Sequence, residues 1–197
     1  MAQPKTKFEI GRFGIMYKII RKKCKDLVGE CQKTQPKRLD FNSILDASKS
    51  KNTKIKNYYQ EMIDNWINAG YFLSSIEWYN YYPNEHYNAQ FTNQFAEYVN
   101  INPKRDWVSL IMPGKTAPWH WDVDDKHEQW LQEGKLMRYS IFLGEKNLSH
   151  FLALEGKDVS ACDIGTIVKW KDYRNYHSAA NCGLQPFFLY HCLGVKL

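Results

Sequence analysis

Hydrophobic positions recur in two different rhythms along this chain. Through the first half the rhythm is helical. Ile15, Met16, Ile19, Ile20, Leu27, Val28 and Cys31 return every three or four residues with lysines between them. Tyr58, Tyr59, Met62, Ile63, Trp66 and Ile67 repeat the pattern, and Gly70 stands where that helix should stop. Tyr87, Phe91, Phe95 and Tyr98 form a third stripe, with Asn102-Pro103 as its closing signal. Aromatic stripes at this spacing read first as core. The polar, basic stretch 49–54 has no periodicity and reads as a linker or mobile loop.

From Trp107 the runs become short, rich in β-branched and aromatic residues, and bounded by Gly, Pro, Asn or Asp. Strands are expected at 107–112, 119–123, 138–143, 149–155, 158–162, 165–170, 176–180 and 187–193. That density suits a jelly roll. The pattern therefore predicts an α+β chain with a mainly β core: a double-stranded β-helix, jelly-roll or cupin-like, with N-terminal helices packed on one face. A length of 197 residues suits one domain, with 1–105 as helical support and 106–197 as the barrel.

Composition narrows the classes. Hydrophobic residues at 44% and charged residues at 24% exclude a wholly disordered or collagen-like chain. No run of about 18 apolar residues offers a transmembrane helix, and the start Met1-Ala2-Gln3-Pro4-Lys5 lacks the pattern of a secretory signal. Five cysteines, an odd number without a C-x-x-C pair, fit a reduced, cytoplasmic protein. Cys182 and Cys192 read as buried small hydrophobes. No P-loop, dinucleotide fingerprint or nucleophile elbow is present.

The net charge of +6 is unevenly spread. Residues 1–57 hold 12 Lys and 3 Arg against 5 acids, +10, and the remainder carries −4. Arg21, Lys22, Lys23 and Lys25, with Lys49, Lys51 and Lys54, would attract an acidic partner, or else merely keep a helical face solvated. Nothing resembles a nucleotide-recognition element, so nucleic acid is not the expected partner.

The chemistry concentrates at Trp119-His120-Trp121-Asp122. Residues i and i+2 of a strand project to one side, so His120 and Asp122 should point together into a barrel. His177 lies 57 residues beyond His120, on the penultimate expected strand. Two histidines and one carboxylate form the facial triad of non-haem Fe(II), which leaves adjacent positions for a chelating ligand and O₂. Trp119 and Trp121 would line a substrate pocket or simply pack. His150 is a supporting group or plain core, and Asp124-Asp125 a solvated turn.

The order of strand, H-x-D, further strands and distal His resembles the Fe(II)/2-oxoglutarate-dependent oxygenases over residues 106–194. Within them it most resembles the aspartyl/asparaginyl β-hydroxylase branch. Pro113-Gly114 precedes His120 by seven residues as that branch's Pro-Gly turn does, and Ser109 holds the place of its keto-acid serine. Arg138 to Gly144 is similar to its Arg-containing strand ending in Leu-Gly. That branch often dispenses with the carboxylate ligand, which Asp122 restores here. The resemblance implies Fe(II) on His120, Asp122 and His177. It also implies 2-oxoglutarate split to succinate and CO₂ with O₂, and hydroxylation of an amino acid, peptide or protein side chain. Most of the superfamily places an arginine about ten residues after the distal histidine to grip the far carboxylate. Gln185-Pro186-Phe187-Phe188 stands there instead, and no arginine follows His177. Arg138, with Ser109, is the expected substitute, and His191 the next; Lys169 and Lys196 are weaker, as strand-end lysines. Two alternatives stay open: a cupin-like metalloenzyme that does not use 2-oxoglutarate, and a jelly-roll binding protein without turnover.

Overall fold

The computed structural model describes residues 8–11, 14–31, 33–82, 89–122, 126–144, 149–155, 157–159, 163–170 and 174–197, with the backbone alone for 8–11, 14–22 and 89. In chain order its elements are β1 (Phe8–Gly11), α1 (Gly14–Cys31), β2 (Lys37–Asp40), α2 (Phe41–Ala47), α3 (Thr53–Asn68), β3 (Glu77–Tyr81) and α4 (Ala89–Val99). There follow β4 (Ile101–Ile111), β5 (Thr116–His120), α5 (His127–Glu133), β6 (Leu136–Phe142), β7 (His150–Leu154), β8 (Lys157–Asp158), β9 (Ile167–Trp170), β10 (His177–Asn181) and β11 (Phe187–Lys196). Two antiparallel sheets result, a seven-stranded one ordered β1-β9-β6-β11-β4-β3-β2 and a four-stranded one ordered β5-β10-β7-β8. This is an α+β fold of the double-stranded β-helix type.

Period-2 alternation explains how the large sheet serves two cores at once. Tyr139 and Ile141 of β6, Tyr190 and Cys192 of β11, and Val108 and Leu110 of β4 face outward. There they pack against Cys24, Leu27 and Cys31 of α1 and Phe91 and Phe95 of α4. Their neighbours Phe142, Leu189 and Ile111 join Leu152, Leu154 and Ala179 of the small sheet in a second core. Strands buried on both faces read as continuous apolar runs, as Phe187-Phe188-Leu189-Tyr190 does.

The expectation of a helical first half needs correction. Three strands come from it, and β4 begins at Ile101, six residues before Trp107. Asn102-Pro103 does not end a helix: α4 stops at Val99, where Asn100 turns at φ 57°. Pro103 instead lies inside β4 opposite Gly194, where the β4–β11 register shifts between Leu193 and Gly194, so the ladder does not need its missing N–H. A Cβ on Gly194 would lie 2.8 Å from the Asn102 carbonyl oxygen, which explains the glycine.

Stretch 49–54 is no free linker, since the Asn52 side chain caps α3 by accepting from the N–H groups of Lys54 and Ile55. Tyr98 and Ile67 are exposed rather than core, and Tyr87 falls outside the described residues. Of the strand expected at 158–162, only Asp158 is in a strand, the two-residue β8, and 160–162 lie outside the described residues; α5 is a helix the strand-like second half did not announce. The helices also occupy two places. α1 and α4 cover the outer face of the large sheet, while Ile44 of α2 and Tyr58, Met62, Ile63 and Trp66 of α3 pack against Trp78 and Ala117. Among the described residues no helix is long and apolar enough to cross a membrane.

Of the helices, α3 bears most directly on the His120 segment. The fully buried Trp66 donates its indole N–H to the Trp119 carbonyl at 2.7 Å, and the Tyr58 hydroxyl donates to the Trp121 carbonyl. These two bonds hold the segment that carries His120 from either side. Trp66→Phe removes one and leaves a part-buried carbonyl unpaired, at a cost of about 1–3 kcal/mol. Urea unfolding should show that loss, together with weaker divalent-metal binding than in the wild type.

A candidate metal centre at the mouth of the barrel

His120 is the last residue of β5 and His177 the first of β10, and the two are directly opposite in the antiparallel pair. Both are buried, with ring centroids 4.2 Å apart. Asp122 lies just past the end of β5, not within a strand over 119–123 as expected. It still reaches the histidines: His120 Nε2 is 3.8 Å from its Oδ1 and His177 Nε2 is 3.7 Å from its Oδ2. The ligand atoms of all three lie within 4.8 Å of one another.

The other ring nitrogens fix the tautomers. His120 Nδ1–H donates to the Pro118 carbonyl at 2.6 Å, and His177 Nδ1–H to the Asn175 carbonyl at 3.1 Å. Each Nε2 lone pair is thereby left for the common point, the arrangement that metal-binding imidazoles need. Burial lowers the His120 pKa to about 4 and that of His177 well below the usual value. Trp78 stacks on His120 at 5.5 Å, and Trp170 meets His177 edge-on at 4.7 Å. Two neutral imidazoles and a carboxylate on one side of a point form a donor set that fits a divalent Fe(II)-like ion.

Arg138, from the inner face of β6, is the second feature of the site. Its guanidinium lies over the rings of Trp170 and Trp107, at 4.0 and 4.9 Å from their centroids. Nη1 donates to Asp122 Oδ2 and lies 3.4 Å from His177 Nε2. Nη2 donates to His191 Nδ1 at 3.1 Å, which also accepts from the Ser140 hydroxyl at 2.8 Å. An arginine can only donate, so the His191 proton sits on Nε2. Burial brings the Arg138 pKa down to about 9, still charged at neutral pH, and burial holds His191 well below its usual value.

Beside the histidines is a small cavity of about 30 Å³. It is lined by Ser109 and Trp107 of β4, Trp78 and Asn80 of β3, Leu189 and His191 of β11, and by His120, Asp122, His177 and Arg138. Every expected site residue, His120, Asp122, His177, Arg138, Ser109 and His191, therefore meets this one space. Ser109 donates to Asn80 Oδ1 at 2.7 Å, and Asn80 Nδ2 donates to the Tyr82 hydroxyl at 2.9 Å. Sequence reasoning missed Asn80, Trp78, Trp107 and Ser140. The inward parity of Trp107 with Ser109 and of Ser140 with Arg138 was available as a signal; no motif marked β3. A wider cleft, lined by Tyr58, Tyr59, Trp78, Tyr82 and Arg105, shares His120 and Asp122 with the cavity.

Other expectations resolve one by one. His150 is core, stacked on Phe187 at 4.7 Å and donating from Nε2 to the Gln185 carbonyl. Cys192 is buried, but Cys182 is exposed, because it lies just past the end of β10 rather than in a sheet. Lys25, Lys49, Lys51 and Lys54 are exposed, and Lys49 pairs with Asp46 and Lys54 with Glu128. Lys169 and Lys196 are not among the residues that line the cavity. The side chains of Arg21 and Lys22, and all of Asp124 and Asp125, lie outside the described residues.

No family profile matches this sequence, and no curated protein does. Among solved structures the chain is similar to a prolyl-4-hydroxylase of Pseudomonas putida, at 10% identity over 98% of this chain and 94% of that one, with TM-score 0.51. A viral collagen prolyl hydroxylase from Paramecium bursaria Chlorella virus-1 aligns at 14% identity over 84% and 98%, TM-score 0.45. A predicted oxalate decarboxylase from Thermotoga maritima aligns at 13% over 60% and 81%, TM-score 0.38. The likeness to the Pseudomonas enzyme is one of fold. The chain has the double-stranded β-helix fold, and it carries a His-x-Asp…His cluster.

The buried histidines give the metal-free protein a pH dependence. In the unfolded chain each takes up a proton near pH 6.5, whereas folded His120 waits until about 4 and His177 and His191 are also held well below the usual value. Between these limits the unfolded state binds more protons, so stability falls as pH falls. Urea midpoints measured from pH 7.5 to 5 should decline, and the decline should be shallower in His177→Gln.

Proposed function

We propose that this protein is an Fe(II)- and 2-oxoglutarate-dependent oxygenase that hydroxylates an amino acid, peptide or protein side chain. The convergence of His120 Nε2, His177 Nε2 and the Asp122 carboxylate within 4.8 Å carries the reading. The fold shared with the Pseudomonas prolyl-4-hydroxylase supports it. Pro113-Gly114 and Ser109 support the narrower resemblance to the aspartyl/asparaginyl β-hydroxylase branch.

His120, Asp122 and His177 would hold Fe(II). When bound, the metal with its keto acid and O₂ supplies the oxidising chemistry. The chain's own residues do the rest. The backbone carbonyls of Pro118 and Asn175 hold both imidazoles in the ligating tautomer. Trp78, Trp107, Ile111 and Leu189 supply the apolar part of a lining that also holds polar and charged groups. Arg138 with Ser109, and then His191, are the groups that would receive the far carboxylate, a role for which a guanidinium is the natural partner. The aromatic cleft next to His120 and Asp122 would present the substrate C–H bond.

A cupin-like metalloenzyme without 2-oxoglutarate is the second reading. It draws on Phe187, which stands where the superfamily arginine is missing and packs on His150 instead.

The test is anaerobic Fe(II) binding followed by succinate release from 2-oxoglutarate. The wild type should bind Fe(II), and 2-oxoglutarate at 100 times its Kd should stabilise the loaded protein by about 2.7 kcal/mol. His177→Ala should lose most Fe(II) affinity and all succinate formation. Unchanged affinity in that variant would overturn the site. Metal binding without any 2-oxoglutarate stabilisation would favour the cupin-like reading.

A further inference from the structure

The wider cleft beside the metal centre holds about 440 Å³, a volume that suits a small organic ligand. Its walls are amphipathic. Ile44, Tyr58, Met62 and Trp78 are buried and supply an apolar floor. Arg105 of β4 and Lys37 of β2 bring two positive charges, and neither lines the inner cavity. Asp122 is the one carboxylate among the described lining residues, and it already accepts from Arg138.

The large sheet fixes where the two cations stand. Residues paired across neighbouring antiparallel strands share a face. Lys37 pairs with Asn80, and Asn80 with Ser109, so Lys37 ends a row that begins in the inner cavity. Arg105 pairs with Leu193, and Leu193 with Arg138. Each cation is thus two strands, about 10 Å, from a residue of that cavity. The Arg105 guanidinium lies over the Tyr82 ring at 4.6 Å from its centroid. Stacked in this way, it keeps its N–H edge for a planar anion such as a carboxylate. A free amino acid would bring an ammonium group as well. No uncommitted carboxylate lines the cleft to receive that group, and the two cations would repel it.

We propose that this cleft binds an α-carboxylate whose amine is acylated and whose side chain is apolar, with Arg105 and Lys37 as the specificity-determining residues. On the oxygenase reading, on which this rests, the substrate is an N-acyl amino acid or the C-terminal residue of a peptide. Its carboxylate meets Arg105 and Lys37, and its side chain lies on the apolar floor beside His120.

Calorimetry on the full chain at low salt tests this with three matched probes: N-acetyl-L-phenylalanine, its neutral amide and free L-phenylalanine. The acetylated acid should bind about tenfold or more tighter than the other two. Arg105→Gln should remove most of that preference and leave the affinity for the amide unchanged. Arg105→Lys should recover part of it. Lys37→Gln should cost less, because the exposed ammonium is screened by solvent and salt. Acid that binds no tighter than the amide or the free amino acid in the wild type overturns the proposal without reference to any variant. So does a full preference for the acid in Arg105→Gln. N-Acetyl-Gly-Gly-L-phenylalanine separates the two sources: tighter binding than the acetylated amino acid assigns the site to a peptide C-terminus, weaker binding to a small acylated amino acid. None of these measurements needs metal or turnover. Acid preference without succinate release from 2-oxoglutarate would keep the carboxylate site and overturn the oxygenase; succinate release without acid preference would overturn the carboxylate site alone.

Discussion

The antiparallel pairing of β5 with β10 is the constraint on which the site depends. It sets His177 against His120 in register, and a slip of one residue would turn one imidazole to the opposite face of the sheet. The pairing has help at the end away from the histidines. Thr116 donates its hydroxyl to the Ala179 carbonyl at 3.0 Å. The Asn181 side chain donates to the carbonyls of Ile111 and Gln185 and accepts from the Gly183 N–H. The strand pair is thus pinned to β4 and to the approach to β11 before any metal is considered. Asp122, beyond the strand end, depends on something else: the grip of Trp66 and Tyr58 on the carbonyls of Trp119 and Trp121.

Burying an arginine beside a carboxylate is seldom a way to gain stability, because desolvation offsets most of the attraction. Arg138 carries further costs: an unpartnered Nε, and burial that depresses its own pKa to about 9. Two tryptophan faces and the His191 acceptor offset part of this. A hydrophobic residue at 138 would fill an apolar barrel with less strain on the balance. A charge kept here despite its cost makes sense if the cavity receives charged guests, which is where both the triad and the missing downstream arginine point.

Much of the fold and the site is legible in the sequence, and the failures have physical causes. The barrel strands carry their own evidence in β-branched and aromatic runs, and the H-x-D pair with a distal His carries the metal chemistry. The N-terminal strands do not: β1, β2 and β3, of four, four and five residues, hold a single β-branched residue among them, Ile10. Over such lengths a sheet partner decides conformation, not local preference. Pro103 misleads for a similar reason, since only the register shift opposite Gly194 makes a proline acceptable there. Arg138 reads in the sequence as a clamp for an external carboxylate, whereas its bond to Asp122 requires knowing that β6 meets the segment just past β5 inside the barrel. Asn80 is invisible, as its role rests wholly on β3 lying next to β4.

The outer face of the large sheet matters to the site as much as the inner one. Asp106 of β4 is buried among α4 and β11, accepting from the Thr92 hydroxyl at 2.7 Å and the Tyr190 hydroxyl at 3.1 Å. The next residue along β4 is Trp107, which faces inward, stacks on His191 at 4.9 Å and supports Arg138. The next along β11 from Tyr190 is His191 itself. A single buried carboxylate thus fixes two strands from behind at the height where their opposite faces hold the guanidinium. Close-packed interiors transmit small displacements rather than absorb them. The helical layer, far from being a passive cover, therefore sets the position of Arg138 relative to Asp122. Loosening α4 would reach the cavity through Trp107 and His191 without touching a residue that lines it.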